Sequence, residues 1–518
     1  MNRRDLVKGL ATLPILGSYI LAVSLKQKNE NEKVVFNFLK EFEKEHPVIN
    51  VKSTPVPVAK AGNNKTLRLG FIGYGGRGSD LGRAAGFAHP DMISELKAAA
   101  EKDSNDKRYE TFIGQEDLNI VFTGICDLYT PRAEKGMIAL SNREKKAKDE
   151  FKGQPIKRFN NFRELIHSPE VDAVIIATPD FWHAEMIIEA ANAGKHVYCE
   201  KCMTNELDEA YLVRDAVKKN GVVFQLGHQN RQSASYIKAA ELLEQDKNLL
   251  GRISLVETST NRSSPGGAWE YDIPEEANES NVDWKQFIKP GMKNPFNKAH
   301  FFRWRCWWDY GSGLTGDLLS HEYDCINQVL KLGIPERVSS SGGIYYWKDG
   351  RTVPDIFNSV MEYPDRDLSL IYSATLGNSR ERKRLIMGGD ATMELGGNIQ
   401  LYVDGSSKKY EKYLKSGQIN SEVPFLDWQP AGTTIDAMTS ATHKYFASRG
   451  LMYTMLNGKL TDATFLHIKE WLECIRTNQM PSCNIDQGFQ EAITCHMGTK
   501  AFKEKRMVIW DKEKEKVI

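Results

Sequence analysis

Asp317 and His321 form a pair whose residue types and spacing could do acid–base chemistry. They are four residues apart, so on a helix their side chains share one face. A carboxylate beside an imidazole raises the affinity of the ring for a proton and fixes its orientation. Such a pair can take a proton from a hydroxyl group near neutral pH. The alternative is a helix-capping Asp and a core His that take no part in chemistry.

A glycine loop, Gly73-x-Gly75-x-x-Gly78, is the second candidate. It follows an apolar run at 67–72 and precedes a segment from Ser79 that can form a helix, which is the context of a dinucleotide fingerprint. Gly73 would allow the tight turn, Gly75 would let the backbone approach a pyrophosphate, and Gly78 would let the helix pack on its strand. The helix N-terminus would then face the phosphates. The alternative is a glycine-rich turn that binds no ligand.

Alternating strand and helix patterns would position these residues. Helical patterns at 182–193 and 205–219 separate the later of several short, apolar or β-branched runs. This alternation predicts an α/β fold with a doubly wound, parallel sheet, that is, a Rossmann dinucleotide-binding domain. The strand-like runs lie at 120–126, 173–177, 196–199 and 222–226.

Asp127 ends the second predicted strand, where an acid would hold the adenosine ribose hydroxyls. Its distance from Gly78 exceeds the usual ~20 residues. We place the excess in the polar stretch 103–116, which we predict to be an inserted loop. Asp127 favours NAD, although Arg132 nearby could accept the 2′-phosphate of NADP. The alternative role for Asp127 is a helix cap.

After residue 228 the sequence changes in character. An aromatic and polar loop region, 262–310, comes first. Four β-rich runs separated by Gly, Pro and Asp follow, and they predict a C-terminal α+β domain with a mostly antiparallel open sheet. An amphipathic helix at 463–477 is expected to close the fold. The β-rich runs lie at 343–347, 357–361, 368–372 and 400–403.

The N-terminus resembles an export signal. Arg3-Arg4 in a basic start, followed by an apolar stretch at 9–25, is similar to a twin-arginine signal for folded proteins. We expect a periplasmic protein in which this segment is either cleaved or kept as a membrane anchor, the alternative being a buried N-terminal helix. The predicted units are therefore 1–26 as signal or anchor, 27–65 as charged segment and linker, 66–227 as Rossmann domain and 228–518 as substrate-binding domain.

Composition excludes some classes of protein. The 69 basic and 68 acidic residues give a formal net charge of +1, so there is no electrostatic footprint for nucleic acid. Eight cysteines lack the dense spacing of a disulfide scaffold. Cys199 and Cys202 form one CxxC pair, but a zinc site would need a second pair. We interpret both as packing residues, and we predict no metal site.

Several further motifs resemble the Gfo/Idh/MocA oxidoreductase family, which includes glucose–fructose oxidoreductase and inositol dehydrogenase. The resemblance runs from the glycine loop to about Asp511, nearly the whole chain after the linker. Its pieces are the glycine loop, Ala177-Thr-Pro-Asp-Phe-Trp-His183, Glu200-Lys201, Asp317-Leu-Leu-Ser-His321, and the ending from Pro481 through Gly488 to Val508-Ile-Trp-Asp511.

The resemblance implies a catalytic group of Lys201, Asp317 and His321. Lys201 would stabilise a developing alkoxide and His321 would take the hydroxyl proton. Cys202 stands where the family usually has proline. Thr178 and His183 would border the nicotinamide. The full set of residues implied to bind NAD, or NADP, is Gly73, Gly75, Gly76, Arg77, Gly78, Asp127, Thr178, Pro179, His183 and Glu200.

The expected partner is a small carbohydrate. Asn230 and Arg231 follow the fifth strand, where they would contact substrate or form structural hydrogen bonds. Trp304 and Trp308 would stack on sugar faces or fill the core. Membrane contact is expected only through the N-terminal segment, and the sequence leaves open whether the chain forms a homo-oligomer. Three functions fit: an NAD(P)-dependent sugar or polyol oxidoreductase, an NAD-dependent glycosidase working by 3-oxidation, elimination and re-reduction, and a non-catalytic sugar binder.

Overall fold

The structure is a computed structural model that describes residues 66–144, 153, 155–380, 382–430, 453–456 and 459–518. The predicted signal, anchor and linker at 1–65 lie outside the described residues. Within the described part of the chain, no helix combines the length and apolar character needed to cross a bilayer.

The first sheet has six strands, all paired in parallel. Its order, β3-β2-β1-β4-β5-β6, is that of a Rossmann sheet, so the predicted fold class is confirmed. Strands buried on both faces are continuous apolar runs, which is why five of the six positions could be predicted from the sequence. The two-residue β3 was not predicted, because it is charged and not buried. The strands are β1 (Leu67–Ile72), β2 (Ile120–Cys126), β3 (Lys157–Arg158), β4 (Ala173–Ile176), β5 (His196–Cys199) and β6 (Phe224–Leu226).

Within the described residues, seven α-helices connect these strands. The stretch 103–116, predicted as a loop, instead contains a short helix at Arg108–Gly114, because Phe112 is buried against Ala88 and Ile93. The helices are α1 (Gly76–Ala84), α2 (Pro90–Lys102), α3 (Arg108–Gly114), α4 (Thr130–Ser141), α5 (Phe162–Ile166), α6 (His183–Asn192) and α7 (Leu207–Asn220).

The second sheet has ten strands, in the order β14-β13-β12-β11-β7-β10-β9-β8-β17-β18. Only β7 and β10 pair in parallel, so the prediction of a mostly antiparallel sheet is confirmed. The strands are β7 (Ile253–Asn261), β8 (Arg337–Gly343), β9 (Ile356–Tyr363), β10 (Leu368–Thr375), β11 (Arg384–Gly388), β12 (Ala391–Leu395), β13 (Ile399–Val403), β14 (Leu426–Trp428), β17 (Val508–Asp511) and β18 (Lys516–Val517), with a separate hairpin of β15 (Tyr453–Leu456) and β16 (Lys459–Asp462).

One of the predicted strands is wrong. The run 343–347 does not continue β8, which ends at Gly343. The backbone N–H groups of Tyr345, Tyr346 and Trp347 instead donate to the carboxylate of Asp355. These three hydrogen bonds wrap the backbone around one side chain, so its N–H groups do not join the ladder.

The helices of the second half fall into two groups. The region 262–310 carries only short helices, as its composition predicts. Of the longer helices, those at 234–245, 320–330 and 485–504 contact the second sheet. The helices are α8 (Ala234–Gln245), α9 (Trp284–Phe287), α10 (Lys298–Phe302), α11 (Ser320–Leu330), α12 (Glu411–Lys415), α13 (Ala463–Thr477) and α14 (Ile485–Glu504), and a π-helical turn, Thr315–Leu319, leads into α11.

Helix α13 crosses between the two halves of the chain. Ile468, Trp471 and Leu472 belong to the same buried cluster as Phe71 and Tyr198 of the first sheet. The ring centroids of Trp471 and Tyr198 are 5.8 Å apart in an edge-to-face contact. The predicted domain boundary after residue 227 therefore divides the two sheets, but α13, from the C-terminal part, contributes to the hydrophobic core of the first sheet.

Candidate active site

The glycine loop turns sharply between β1 and α1. Gly73 has a φ of +85°. A Cβ atom there would lie 2.7 Å from the carbonyl oxygen of Ala177, and one on Gly78 would lie 2.4 Å from that of Gly73. A Cβ on Gly75 would instead point into open space, with its nearest contact 3.8 Å away on Arg132. Two glycines are thus required by packing and the third leaves room for a ligand, as a dinucleotide fingerprint requires.

A cavity of about 990 Å³ opens beside this loop. Its wall includes most of the residues predicted to bind the cofactor. At the far end it reaches Lys201, Trp304 and Arg305, so one space joins the glycine loop to the predicted chemistry. The predicted cofactor residues on the wall are Gly73, Gly75, Gly76, Arg77, Asp127, Thr178, Pro179 and Glu200.

Asp127 lies directly after β2 on the cavity wall. Its Oδ2 accepts the backbone N–H of Tyr74 at 2.6 Å, and its Oδ1 accepts that of Tyr129 at 2.8 Å. Burial raises the pKa of Asp127, against the opposing charge of Arg132. The Arg132 guanidinium lies 4.8 Å from the ring centroid of Phe302. The carboxylate therefore holds the start of the β2–α4 loop and still faces the space for a ribose.

Arg77 links the glycine loop to the strand that carries the predicted lysine. Its Nε donates to Oε1 of Glu200 at 2.8 Å, and its Nη2 donates to Gln229 at 3.0 Å. Glu200 is buried and immediately precedes Lys201. The peptide bond between Lys201 and Cys202 is cis.

Asp317 is the centre of the predicted catalytic cluster. Its Oδ1 accepts Lys201 Nζ at 2.5 Å and Arg305 Nε at 2.9 Å, and its Oδ2 accepts Trp269 Nε1 at 2.9 Å. Burial alone would raise the pKa of Asp317, but the charges of Lys201, Arg305 and Arg262 hold it well below its usual range. Burial likewise opposes charge on Lys201, yet Asp317 raises the pKa of that ammonium above its usual value. The cluster therefore holds an ionised carboxylate and a protonated lysine.

His321 lies beside this cluster as a neutral base. Burial, then the charges of Lys201 and His228, lower its pKa well below 6.5. Its ring meets that of His228 edge to face, with centroids 5.2 Å apart. Its Nδ1 is buried, and no atom of the described residues forms a hydrogen bond with it. His228 Nε2 lies 3.3 Å from Oε2 of the buried Glu491.

The predicted pairing of Asp317 with His321 needs correction. The carboxylate hydrogen bonds described for Asp317 go to Lys201, Arg305 and Trp269. Asp317 lies in the π-helical turn, whose wider turn changes the angular offset that an α-helix would give residues four apart. Asp317 therefore keeps Lys201 protonated through a direct ion pair. On His321 it acts only through its negative charge, which opposes the lowering of the pKa of that ring.

A segment that the sequence did not single out lies over the cavity, and we call residues 276–292 the cover segment. Lys285–Met292 contribute eight lining residues in a row. Backbone hydrogen bonds join Thr130 to Asn281 and Asp283 to Leu128. Trp182 Nε1 donates a hydrogen bond to the carbonyl oxygen of Phe287 at 2.6 Å. Gln286 accepts one from Asn161 Nδ2 and donates one to the carbonyl oxygen of Asn160, each at 3.0 Å.

Four predicted site residues are placed elsewhere than expected. His183 is fully buried and bonds the carbonyl oxygens of Cys202 and Thr178 through its two ring nitrogens, so it braces the loops behind the cavity. Arg231 is also buried, in a two-nitrogen ion pair with Asp324, so structural hydrogen bonding accounts for it. Lys503 Nζ lies 4.1 Å from the ring centroid of Trp308. Asn230 Oδ1 is buried and has no hydrogen-bond partner among the residues that the structure describes. Neither side chain lines the cavity.

The residues missed by sequence analysis are Arg305, Trp269 and Arg262. All three come from the aromatic and polar region 262–310, where no periodicity marks a site. Trp304, which was predicted, lines the cavity, and the Arg305 guanidinium lies 4.1 Å from its ring centroid.

One group of side chains elsewhere has metal-ligand character. Glu270, Cys306 and Asp349 bring ligand atoms within 4.8 Å of one another. Arg303 pairs with Glu270, and Arg351 pairs with Asp349 at 2.6 Å, so both carboxylates already face cations. The eight cysteines are all buried and unbridged, as packing residues would be.

Two family models match the chain. Residues 67–228 match the N-terminal model of the Gfo/Idh/MocA family, described as an oxidoreductase family with an NAD-binding Rossmann fold. Residues 291–509 match its C-terminal alpha/beta domain.

Individual proteins agree with these matches. An uncharacterized oxidoreductase of Synechocystis is 34% identical over 355 residues, which cover 68% of this chain and 82% of that protein. Levoglucosan dehydrogenase of Pseudarthrobacter phenanthrenivorans is 29% identical over 213 residues, or 38% of this chain, and the match spans about half, 47%, of its length. The solved structure of levoglucosan dehydrogenase in complex with NADH superposes with a TM-score of 0.55 at 16% identity, covering 86% of this chain and 99% of that one.

The glycine loop, the order of the first sheet and the span of both family models agree, and this chain belongs to the Gfo/Idh/MocA family of NAD-binding oxidoreductases.

Proposed function

We propose that the protein transfers a hydride between NAD and a hydroxyl-bearing carbon of a sugar, glycoside or polyol. The observation that carries this proposal is the position of Lys201. It lies on the wall of the cavity that begins at the glycine loop, and it is ion-paired to Asp317. A non-catalytic sugar binder would need neither a protonated lysine nor a neutral histidine at this place.

The residues of the chain divide the chemistry between them. NAD, held by the glycine loop and Asp127, would supply the hydride acceptor. Lys201 stays protonated because Asp317 is ionised, so its ammonium can stabilise negative charge on the substrate oxygen. His321 stays neutral because its pKa is lowered, so it can accept the hydroxyl proton.

The cover segment supports tight retention of the cofactor. Its hydrogen bonds reach the β2–α4 loop, the residues before α5, and Trp182. Release of a dinucleotide from beneath it would require those bonds to open. We propose that NAD stays bound through many turnovers and is reoxidised in place.

A redox-neutral glycosidase is the second candidate, and the cover segment is the observation that favours it. In this reaction the 3-hydroxyl is oxidised, the acidified C2 proton and the aglycone are eliminated, water adds, and the hydride returns to C3. No free cofactor is consumed, which suits a cofactor that stays bound through many turnovers. A second carbonyl substrate that takes the hydride would satisfy the same requirement.

We further propose that the protein is exported through its twin-arginine-like start, Arg3-Arg4, with NAD already bound. A cofactor loaded before export would have to be retained outside the cytoplasm. The test is cell fractionation of the wild type and of a variant with both arginines changed to lysine. Export of that variant at the wild-type level would contradict the proposal.

The proposed activity is tested on protein purified without added nucleotide. We expect bound NAD in native mass spectrometry and reduction of that NAD by at least one member of a panel of sugars, polyols and glycosides. In deuterated water, deuterium at C2 of a released sugar would identify the glycosidase, and hydride passed to an added keto-sugar would identify paired oxidoreduction. The proposed function would be overturned if the protein binds NAD but no member of the panel reduces that NAD.

A further inference from the structure

The wall of the cavity around Lys201 carries an excess of positive charge. Lys201 and Arg305 share one carboxylate, that of Asp317. A second carboxylate, Asp180, is buried nearby and accepts the hydroxyl and backbone N–H of Ser312.

Arg305 presents unused donors to the cavity. Its Nε is bound to Asp317 at 2.9 Å, and no residue in the described ranges accepts a hydrogen bond from its Nη1 or Nη2. The guanidinium lies over the ring of Trp304, 4.1 Å from the centroid, which fixes its plane. Its side chain is 24% exposed and lines the cavity. The free edge is therefore a fork of two N–H donors beside the proposed reaction centre.

Arg262 adds a third cation to this region. It follows the last residue of β7 and is half-buried, with its backbone N–H bonded to the carbonyl oxygen of Thr375. Within the described part of the chain, no carboxylate lies within ion-pair distance of its guanidinium. Arg262 does not line the cavity, but its charge reaches both Asp317 and His321 and lowers the pKa of each.

Together Lys201, Arg262 and Arg305 bring three positive charges against the two carboxylates of Asp180 and Asp317. The ion pair of Arg77 with Glu200 on the same wall adds no net charge. A half-buried arginine without a partner is costly, and a bound anion would offset that cost. The planar fork of an arginine matches the two oxygens of a carboxylate. A singly charged group fits the balance of charges better than a doubly charged phosphate, which both buried carboxylates would repel. Asp272 also lines the cavity, but it is exposed, so solvent screens its charge more than that of the two buried carboxylates.

We propose that the substrate is an acidic sugar, a hexuronic acid or its glycoside, whose carboxylate is bound by the free edge of the Arg305 guanidinium, with Arg262 adding positive charge nearby. This inference rests on the proposed function for the class of substrate, a sugar. It adds that the sugar carries one negative charge and that two arginines select it.

The experiment uses purified protein with its retained cofactor and three matched pairs of methyl glycosides. Each pair, in the gluco, galacto or manno series, differs only in a primary alcohol or a carboxylate at C6. Isothermal titration calorimetry should show at least tenfold tighter binding of the carboxylate form in one series, and hexose 6-phosphates should bind more weakly than that uronide. Equal or tighter binding of the neutral partner in every series, or tightest binding of a phosphate, would overturn the inference.

Variants assign the preference to the arginines. Arg262→Met should reduce the ratio of the two affinities, and Arg262→Lys should restore it, because Arg262 acts through its charge. Arg305→Lys should also lower the ratio, because lysine lacks the fork. Arg252→Met, the same change at an exposed site next to β7, is the matched control and should leave the ratio unchanged. An unchanged ratio in both Arg262→Met and Arg305→Lys, with NAD retained and the thermal midpoint preserved, would overturn the inference.

Reduction of the bound NAD separates this inference from the proposed function. If uronides bind through the arginines but no sugar reduces the cofactor, the inference stands and the proposed function fails. If neutral sugars reduce the cofactor and uronides do not bind, the proposed function stands and the inference fails. If no sugar binds at all, both are wrong.

Discussion

Lys201 Nζ lies 2.5 Å from Oδ1 of Asp317 and 3.0 Å from the backbone carbonyl oxygen of the same residue. The lysine follows β5 of the first sheet, and the aspartate lies in the π-helical turn before α11. Both side chains are largely buried, at 9% and 8% exposure. The charge state of the proposed catalytic lysine therefore depends on the docking of the two halves of the chain, and loss of either partner leaves a buried charge unpaired.

Removing the charge of Asp317 should weaken catalysis by changing Lys201. In Asp317→Asn the main influence that raises the pKa of Lys201 is lost, so the alkaline limb of the activity profile should move to lower pH. Lys201→Ala should reduce kcat about a hundredfold or more, and Asp317→Asn should reduce it less. Steady-state kinetics measured against pH check this, with Asp404→Asn, an exposed change, as control. Near-normal turnover in Lys201→Ala would rule out the assignment.

The acid limb of the same profile should report His321. The neutral ring is the active form, so activity is lost as pH falls through its lowered pKa, and the limb should lie below pH 6.5. His228→Gln removes one of the charges that lower this pKa, so the limb should shift to higher pH. His321→Ala should lower kcat about a hundredfold. His167→Gln, at an exposed pair with Glu189, is the control, and an acid limb that is the same in the wild type and His228→Gln would contradict this role.

Substitutions at two glycines of the loop should affect different properties, cofactor binding at Gly75 and stability at Gly78. Gly75→Val places a side chain in the space left for the cofactor, so the protein should fold but purify without NAD. Gly78→Ala puts a Cβ atom 2.4 Å from a backbone oxygen, so it should lower the thermal midpoint. Gly114→Ala, where no atom lies within 4 Å of the added Cβ, should do neither. Stoichiometric NAD in purified Gly75→Val would remove the glycine loop from the site.

The cover segment should control how long the cofactor stays. Gln286→Leu removes the side-chain bonds to Asn160 and Asn161, so NAD should dissociate at least several-fold faster during dialysis. Gln400→Leu makes the same change on the second sheet, where Gln400 bonds Asp427, and should not alter the rate. Equal rates of NAD loss in the two variants would show that the segment does not retain the cofactor.

Buried histidines should make the fold sensitive to acid. Burial lowers the pKa of His467 to about 3 and that of His496 to about 4. As pH falls below the ordinary value of 6.5, the unfolded chain takes up protons that the folded state does not, so stability decreases. At about pH 5 each group should cost about 2 kcal/mol of the free energy of unfolding. The pKa of His228 is raised, so its contribution changes only above 6.5 and does not offset this loss.

Urea unfolding at several pH values measures the effect. His496→Gln should remove about half of the acid dependence that the two buried histidines produce. His167→Gln, exposed, should remove none. A free energy of unfolding that stays constant between neutral pH and about pH 5 would contradict the prediction.

The sequence by itself determined the features that neighbouring residues encode. β1, β2, β5 and α13 have the predicted bounds or nearly so, because strand and helix periodicity is written in residues a few positions apart. The glycine loop was identifiable for the same reason, since a tight turn, a strand before it and a helix after it are all local.

Only the tertiary structure decided which distant side chains meet. Asp317 pairs with Lys201 and Arg305 instead of His321, Arg231 is held by Asp324, and α13 packs on the first sheet. The cover segment and Arg262 could not be singled out either, because region 262–310 has no periodicity to mark a buried face. Ion pairs and covers of this kind depend on which elements pack together across a hundred or so residues, and the free energy that selects them comes from burial and charge in the folded chain.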